Sequence, residues 1–362
     1  MTTQSTHGVS RHPGGVVGLP CLVLSLAIAG CGGVDSSQAA KPIAASVQGT
    51  GGPNTLKGTY NLAVIRLNDP LTGEEASDKD VKDGLVQAGL EPASIALTSF
   101  DAKGDPAAVP GLVDEAVRAG SDLIITLRPE TTLAAAAKES KVPLVFGMTG
   151  EPNVFGLGKH DGDHKPNLTG AYTGARNSLI VPIVRGCLPE AKTCGVLFNA
   201  DNPVSVGWKD ALLRTEWDKV KPEPAPYHSD SEVPSVVRAL LEKKVDALII
   251  TQGVSHAASK AAIDEARKAK VPSFGLHADH ARSGAVVARE PSPRWSGFEA
   301  GRRAARVLRG EAPKQITFVQ GDNYLTYVNL NEAKALGVKI LGAIMRDPKL
   351  VETDGAKPSV KP

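Results

Sequence analysis

Two short segments set histidine beside carboxylates: His160-Asp-Gly-Asp-His164 and His277-Ala-Asp-His280. Imidazole and carboxylate together can ligate zinc or nickel. The first segment lies in a polar, glycine-rich stretch and reads as an exposed loop. The second follows a strand, on the side where α/β proteins collect their ligands, so it is either a ligand or metal contact or a plain loop. Asn68-Asp69 can pair with an ammonium or a hydroxyl, although an aspartate before Pro70 also makes a turn. Arg128 can grip an anion through two parallel hydrogen bonds, or stand in solvent. Trp208 and Trp295 can stack on a ligand, yet both sit at apolar helical positions that suit a core. The chain has no G-x-S-x-G elbow, no P-loop, no G-x-G-x-x-G after a strand and no H-E-x-x-H. Binding explains these residues with fewer assumptions than catalysis, so no enzyme activity, cofactor or resident metal is expected.

The elements that must position these residues alternate regularly. Residues 61–66 read as a strand, and 78–88 as a helix with Val81, Leu85 and Val86 on one face and Gly89 past its end. Residues 94–98 make the next strand and 110–118 a helix closed by Gly120. Residues 122–126 form a short apolar strand suited to a buried parallel sheet. An alanine-rich helix over 131–139 and a strand over 142–146 follow. The order then repeats: strand 194–198, helices 206–217 and 233–242, strand 246–251, helix 255–268 and strand 271–275. Asp246-Ala-Leu-Ile-Ile-Thr251 matches Asp122-Leu-Ile-Ile-Thr126, and Val271-Pro-Ser-Phe-Gly275 mirrors Val142-Pro-Leu-Val-Phe146. This is a duplicated unit. The expected fold class is α/β, with two doubly wound parallel-sheet lobes rather than one continuous sheet.

The first thirty residues read as an export signal. Arg11 is the firm positive charge before an apolar run from Val16 to Ala29, too short for a spanning helix of about 20 residues. Ile28-Ala29-Gly30-Cys31 resembles the bacterial lipobox, an aliphatic residue and two small ones before cysteine. The resemblance implies that Cys31 receives diacylglycerol, with palmitate-type chains, and becomes the new N-terminus. The next stretch, 32–57, is rich in Gly, Ser, Ala, Gln and Pro, and cannot bury enough surface to offset its ordering entropy. It is read as a tether that lets a folded body stand off the bilayer. An exported setting permits a disulfide between Cys187 and Cys194, which close a small loop; two buried free thiols are the alternative. A lone cysteine pair lacks the further soft ligands a zinc site needs. A net charge of +2 gives no basic stripe for nucleic acid, so no such partner is expected.

From about residue 57 to 347 the chain resembles the type I substrate-binding lipoproteins of ABC transporters, in the branch associated with tryptophan and tyrosine uptake. The resemblance rests on Asp122-Leu-Ile-Ile-Thr126, Val142-Pro-Leu-Val-Phe-Gly-Met-Thr149 with Glu151-Pro152, Asn167-Leu-Thr-Gly170 and Leu188-Pro-Glu-Ala-Lys192. Asn199-Ala-Asp-Asn202 with Ser205, Asp246 to Thr251, Val307-Leu-Arg-Gly310 and Asn329-Leu-Asn-Glu-Ala-Lys-Ala-Leu-Gly337 complete it. It implies a clamshell whose chain crosses between lobes three times, near 170–173, 287–290 and 317–321. Ligand would bind in the cleft, where loops after the strands converge and helix N-termini offer free N–H groups. Closure would then present the protein to a permease.

The same resemblance assigns ligand contacts. Thr126 sits where the pattern has a threonine suited to a carboxylate, and Arg128 is placed to join it. Thr149 and Glu151 stand at the family's Thr-Asp-Pro stretch, with glutamate for aspartate. Asn202 replaces a frequent glutamate, and Ser205 is either a contact or an N-cap. Gln252, before Gly253, occupies the place of an aspartate that would meet an ammonium, and Asp279 is the available substitute.

The expected layout is a signal peptide over 1–30, a tether over 31–57, lobe one over 58–171 and 289–318, lobe two over 172–288 and 319–350, and a tail over 351–362. The expected protein is a monomeric solute-binding lipoprotein of the cell envelope. It would deliver a small polar, amino-acid-like or other acidic molecule to an ABC permease. A lipoprotein that senses a ligand for a membrane signalling partner is the alternative. Cys31→Ser should move the protein from the membrane fraction to the soluble fraction, and a variant that still sediments with membranes refutes the anchor.

Overall fold

Residues 58–68, 76–138, 140–174 and 180–353 are described by the computed structural model, with Thr149 described by its backbone alone. The export signal, Cys31, the tether, Asp69 and residues beyond 353 lie outside the described residues.

The first half places β1 (Tyr60–Arg66), α1 (Asp78–Gln87), β2 (Ile95–Asp101), α2 (Val109–Arg118), β3 (Leu123–Thr126), α3 (Pro129–Ala137) and β4 (Leu144–Thr149) in the expected order. A hairpin of β5 (Gly158–His160) and β6 (Asp163–His164) leads to β7 (Leu168–Thr173). The second half carries α4 (Ile180–Cys187), β8 (Thr193–Asn199), α5 (Pro203–Leu213), β9 (Lys221–Tyr227), α6 (Val233–Glu242), β10 (Ala247–Ile250), α7 (His256–Lys268), β11 (Ser273–Gly275), α8 (Ala278–Arg282) and β12 (Val287–Pro291). Then come α9 (Pro293–Leu308), β13 (Val319–Gly321), β14 (Tyr324–Val328), α10 (Leu330–Ala335) and β15 (Lys349–Leu350). One sheet runs β13-β7-β4-β3-β1-β2 and the other β15-β14-β12-β11-β10-β8-β9. The chain therefore passes between sheets three times, after Thr173, after Pro291 and after Gly321. Among the described residues no helix is long and apolar enough to cross a membrane.

The duplicated aspartates explain how each sheet is registered. Asp122 accepts the Asn61 N–H at 2.8 Å and returns its own N–H to the Asn61 carbonyl at 2.7 Å, which aligns β3 with β1. Asp246 accepts the N–H groups of Lys192 at 2.7 Å and Thr193 at 2.9 Å, aligning β10 with β8. Each aspartate satisfies backbone N–H groups where an interior strand of its sheet begins. All side chains of β3 and β10 are then buried, and all but Thr126 are apolar.

Several local expectations change. The second sheet is parallel except where β12 meets β14, which run antiparallel. The helix expected over 206–217 starts at Pro203, because the Asn202 side chain caps it and proline suits the first turn. Trp217 lies beyond its end and donates its indole N–H to the Leu212 carbonyl at 2.9 Å. Strand β9, Lys-Pro-Glu-Pro-Ala-Pro-Tyr, had no strand signature; its alternating prolines are tolerated because it is an edge paired on one side to β8.

Cys187 and Cys194 are buried free thiols, not a disulfide. Cys187 ends α4 against the backbone of Leu341, whereas Cys194 lies within β8 against Ile249. Burial pushes the Cys187 thiol up to about 11.

Helix α9 returns to the first sheet and packs across α1. On α1, Val81 and Leu85 are buried while Val86 is at the surface, since a step of one residue turns the side chain away. The contact is close enough to require glycine. A Cβ on Gly84 would fall 2.0 Å from the Phe298 carbonyl oxygen, and one on Gly301 would fall 2.1 Å from that of Val81. Gly301→Val should cost about 2 kcal/mol or more, read as a lower urea midpoint. Gly111→Ala, where a Cβ meets nothing within 4 Å, should not lower it.

Candidate functional site

The carboxyl ends of β3, β10 and β11 point to one region, so their following loops meet there. From the first sheet, Arg128 precedes α3 in extended backbone and Glu130 occupies the first helical turn. Their side chains pair at 3.5 Å and are largely buried. From the second sheet come Gln252, Gly253 and His256, with His277 and Asp279 after β11. Together these residues line a cavity between the two sheets, with about 30 Å³ of free space. That is room for little more than a water, so a molecule of amino-acid size can enter only if the walls part.

The lower wall is held by side-chain to backbone bonds. Gln252 donates its amide to the Leu276 carbonyl at 2.9 Å, tying the loop after β10 to the loop after β11. His277 caps α8, its Nδ1 accepting the Asp279 N–H at 3.3 Å, which leaves Nε2 to carry the proton. That nitrogen faces Glu290 Oε2 at 3.6 Å, and Glu290 also accepts the Ala278 N–H at 2.8 Å. Asp279 pairs with Arg282 at 2.7 Å. His280 is 4% exposed, and its Nδ1 accepts the Leu276 N–H at 3.2 Å. Burial, with His277 and His256 nearby, holds its pKa well below the usual histidine range.

Of the residues expected at the site, Arg128, Gln252 and Asp279 line this cavity. Thr126 is fully buried, with its hydroxyl 2.9 Å from that of Thr132. Ser205 is equally buried; its oxygen accepts the Asn199 N–H at 2.9 Å and lies 2.8 Å from the Thr251 hydroxyl. Thr251 in turn donates to the Leu197 carbonyl. Asn202, rather than Ser205, is the cap of α5, and its amide donates to the Gly253 carbonyl at 3.2 Å. Asn68 is exposed in left-handed backbone, with φ of 47°. Glu151 is buried beside Gly174, where the chain first leaves the first sheet. Asp69 and the Thr149 side chain lie outside the described residues.

Glu130, His256 and Ser259 also line the cavity, and no sequence signal marked them. Glu130 was legible only as the second residue after Arg128, and His256 only as the first residue of a helix. The other histidine cluster lies elsewhere. His160 is exposed on the hairpin, but His164 is 4% exposed and stacks on Phe318 with ring centroids 4.1 Å apart, so it is a packing residue rather than a solvated loop histidine. Trp208 belongs to the core of the second half, and Trp295 packs against Gly321. Among the described residues no group of three or more His, Cys, Asp and Glu could hold a metal ion.

Residues 72–351 match the family model described as ABC transporter substrate binding protein. No curated protein matches the chain. Among solved structures the chain is similar to an ABC domain in complex with L-Trp from Streptococcus pneumonia, at 18% identity and a TM-score of 0.66, covering 81% of this chain and 99% of that one. It is similar to a substrate-binding protein with adhesive properties from Clostridium difficile, in its ligand-free, open form, at 19% identity and a TM-score of 0.63, covering 82% of this chain and 100% of that one. A leucine-binding protein LivK from Thermotoga maritima shares 14% identity with a TM-score of 0.54, covering 78% of this chain and 98% of that one. At these identities the likeness establishes a shared fold.

The depressed His280 pKa fixes a pH dependence. The unfolded chain takes up a proton on this histidine near its usual 6.5 while the folded chain does not, so stability is full above that pH and falls below it. Lowering the pH from 7.5 to 5.5 should cost up to about 1.4 kcal/mol through this residue. The urea midpoint of His280→Asn should show a smaller pH dependence over that interval, and an unchanged slope refutes the assignment.

Proposed function

The chain belongs to the family of ABC transporter substrate-binding proteins, with the two-lobed type I fold of that group, and from this premise we propose how it works. Proteins of this family bind small ligands and act outside the cytoplasm rather than as enzymes. This protein is a lipoprotein held at the membrane through Cys31. It captures a small polar molecule, amino-acid-like or another small acid, between its lobes and hands it to an ABC permease. The tether keeps the binding body beside its membrane partner at high effective concentration without a large interface.

One observation carries this reading: a cavity closed from above by Arg128 and Glu130 and from below by Gln252, His277 and Asp279. The walls belong to different sheets linked by three crossing segments, so rotation about those segments opens and closes the site. Arg128, Gln252 and Asp279 contact the ligand from the cavity lining, and Asn68, Asp69, Thr149 and Glu151 serve as further contacts. Thr126, Asn202 and Ser205 act indirectly, because their polar atoms already hold the loops in place.

A thermal-shift screen of the folded body against amino acids, small acids and nucleosides tests the reading. A ligand of the cleft should raise Tm, and Arg128→Ala combined with Gln252→Ala should weaken its binding about tenfold or more. A panel with no stabilising compound, a ligand that binds the double variant equally well, or turnover of a bound compound counts against it.

A further inference from the structure

A cavity of about 340 Å³ opens at the other end of the first sheet, among the strand starts and away from the cleft. Its walls are Leu144 and Leu168, which begin β4 and β7, with Ile124 of β3, Val113 of α2 and Ala135 and Ala136 of α3. The cause is local sequence. Helix α3 ends Leu133-Ala-Ala-Ala-Ala137, and methyl groups there do not reach the opposite wall. Protein interiors seldom leave such space, because every unfilled contact forfeits attraction. This volume falls in the range that holds small ligands.

The mouth of the cavity is polar. The Asn167 amide is spent on the carbonyls of Ser140 at 2.7 Å and Val142 at 2.8 Å. The Ser140 hydroxyl oxygen accepts the Val142 N–H at 3.0 Å, which leaves its proton to donate. Lys165 donates to the Ala136 carbonyl at 3.2 Å and pairs with no carboxylate among the described residues. Neighbouring Lys138, by contrast, is neutralised by Asp114 at 2.8 Å. The bond from Lys165 also offsets the negative end of α3, and two of its three protons remain for a ligand. Among the described residues, an ammonium with no carboxylate partner and a hydroxyl with a proton to donate stand at the rim of an apolar chamber, and they fit one chemistry: an acid head on an aliphatic body.

We propose that this cavity is a second binding site, for a small aliphatic monocarboxylate, with the chain packed between α3 and the start of β4 and the carboxylate on Lys165. It shares no lining residue with the cleft and is independent of what the cleft binds.

Octanoate is the probe, with octanol as the uncharged control. At several-fold excess over its Kd, octanoate should raise Tm of the wild-type protein by about 2 °C, and octanol by less. Ala136→Leu fills the chamber and should abolish the octanoate shift while leaving Arg128 and Gln252 untouched. Val142→Phe fills it from the opposite wall if the helix variant does not fold. Lys165→Met should weaken octanoate binding about threefold and leave octanol unchanged. Absence of an octanoate shift in the wild type, an equal shift in a folded filled variant, or equal octanoate binding by Lys165→Met overturns the proposal.

Discussion

A strand whose every side chain is buried can exist only where both faces of its sheet are covered, and β3 and β10 are such strands. From that constraint the architecture follows. Helices must lie on both faces, so successive parallel strands are joined by helical crossovers. All strands linked in this way then finish at the same end of their sheet. The loops that follow β3, β10 and β11 have nowhere to gather except around one region. The aspartates at 122 and 246 secure the arrangement at its start, by pairing with backbone N–H groups where the interior strands β1 and β8 begin.

The cleft inherits its chemistry from what the scaffold has not already used. The hydroxyls of Thr126, Ser205 and Thr251 sit close to the strand ends, but each is bonded within the protein. Buried hydroxyls left unbonded would cost more than such bonds gain, so their engagement stiffens the loops. Charges on the lining are also paired in advance, Glu130 with Arg128 and Asp279 with Arg282, and Glu290 stands behind the lining residue His277. A ligand must therefore compete with existing partners or bond to groups beside them. Such a wall selects by shape and by hydrogen-bond geometry more than by net charge.

Close backbone approach is the second recurring device. Gly84 and Gly301 let α1 and α9 touch main chain to main chain, which anchors the helix that follows the second crossing. The same economy of side chains has the opposite effect at α3, where small residues face large ones across a gap and leave a chamber. Glycine removes volume where two backbones need to meet. Alanine removes it where nothing moves in to compensate.

Local pattern determined much of this protein from sequence alone. The alternating elements, the duplicated apolar strands after Asp122 and Asp246, and the separation into two sheets all follow from periodicity, because one-face and two-face burial leave different signatures over a few residues. Strand β9 was illegible, since proline at alternate positions is a strand only on an edge, and an edge is a property of the whole sheet. The start of α5 was misplaced because Asn202 read as a ligand group rather than as a cap. The cleft divided in the same way. Arg128, Gln252 and Asp279 were legible as polar residues after strand ends. The duties of Thr126, Ser205 and His280 were not, because a hydroxyl or imidazole declares its partner only when the chain has brought that partner within about 3 Å. Sequence thus determined which elements form and where their polar ends fall. Tertiary structure decided which of those polar groups remain for a ligand, since that depends on contacts between residues far apart in the chain.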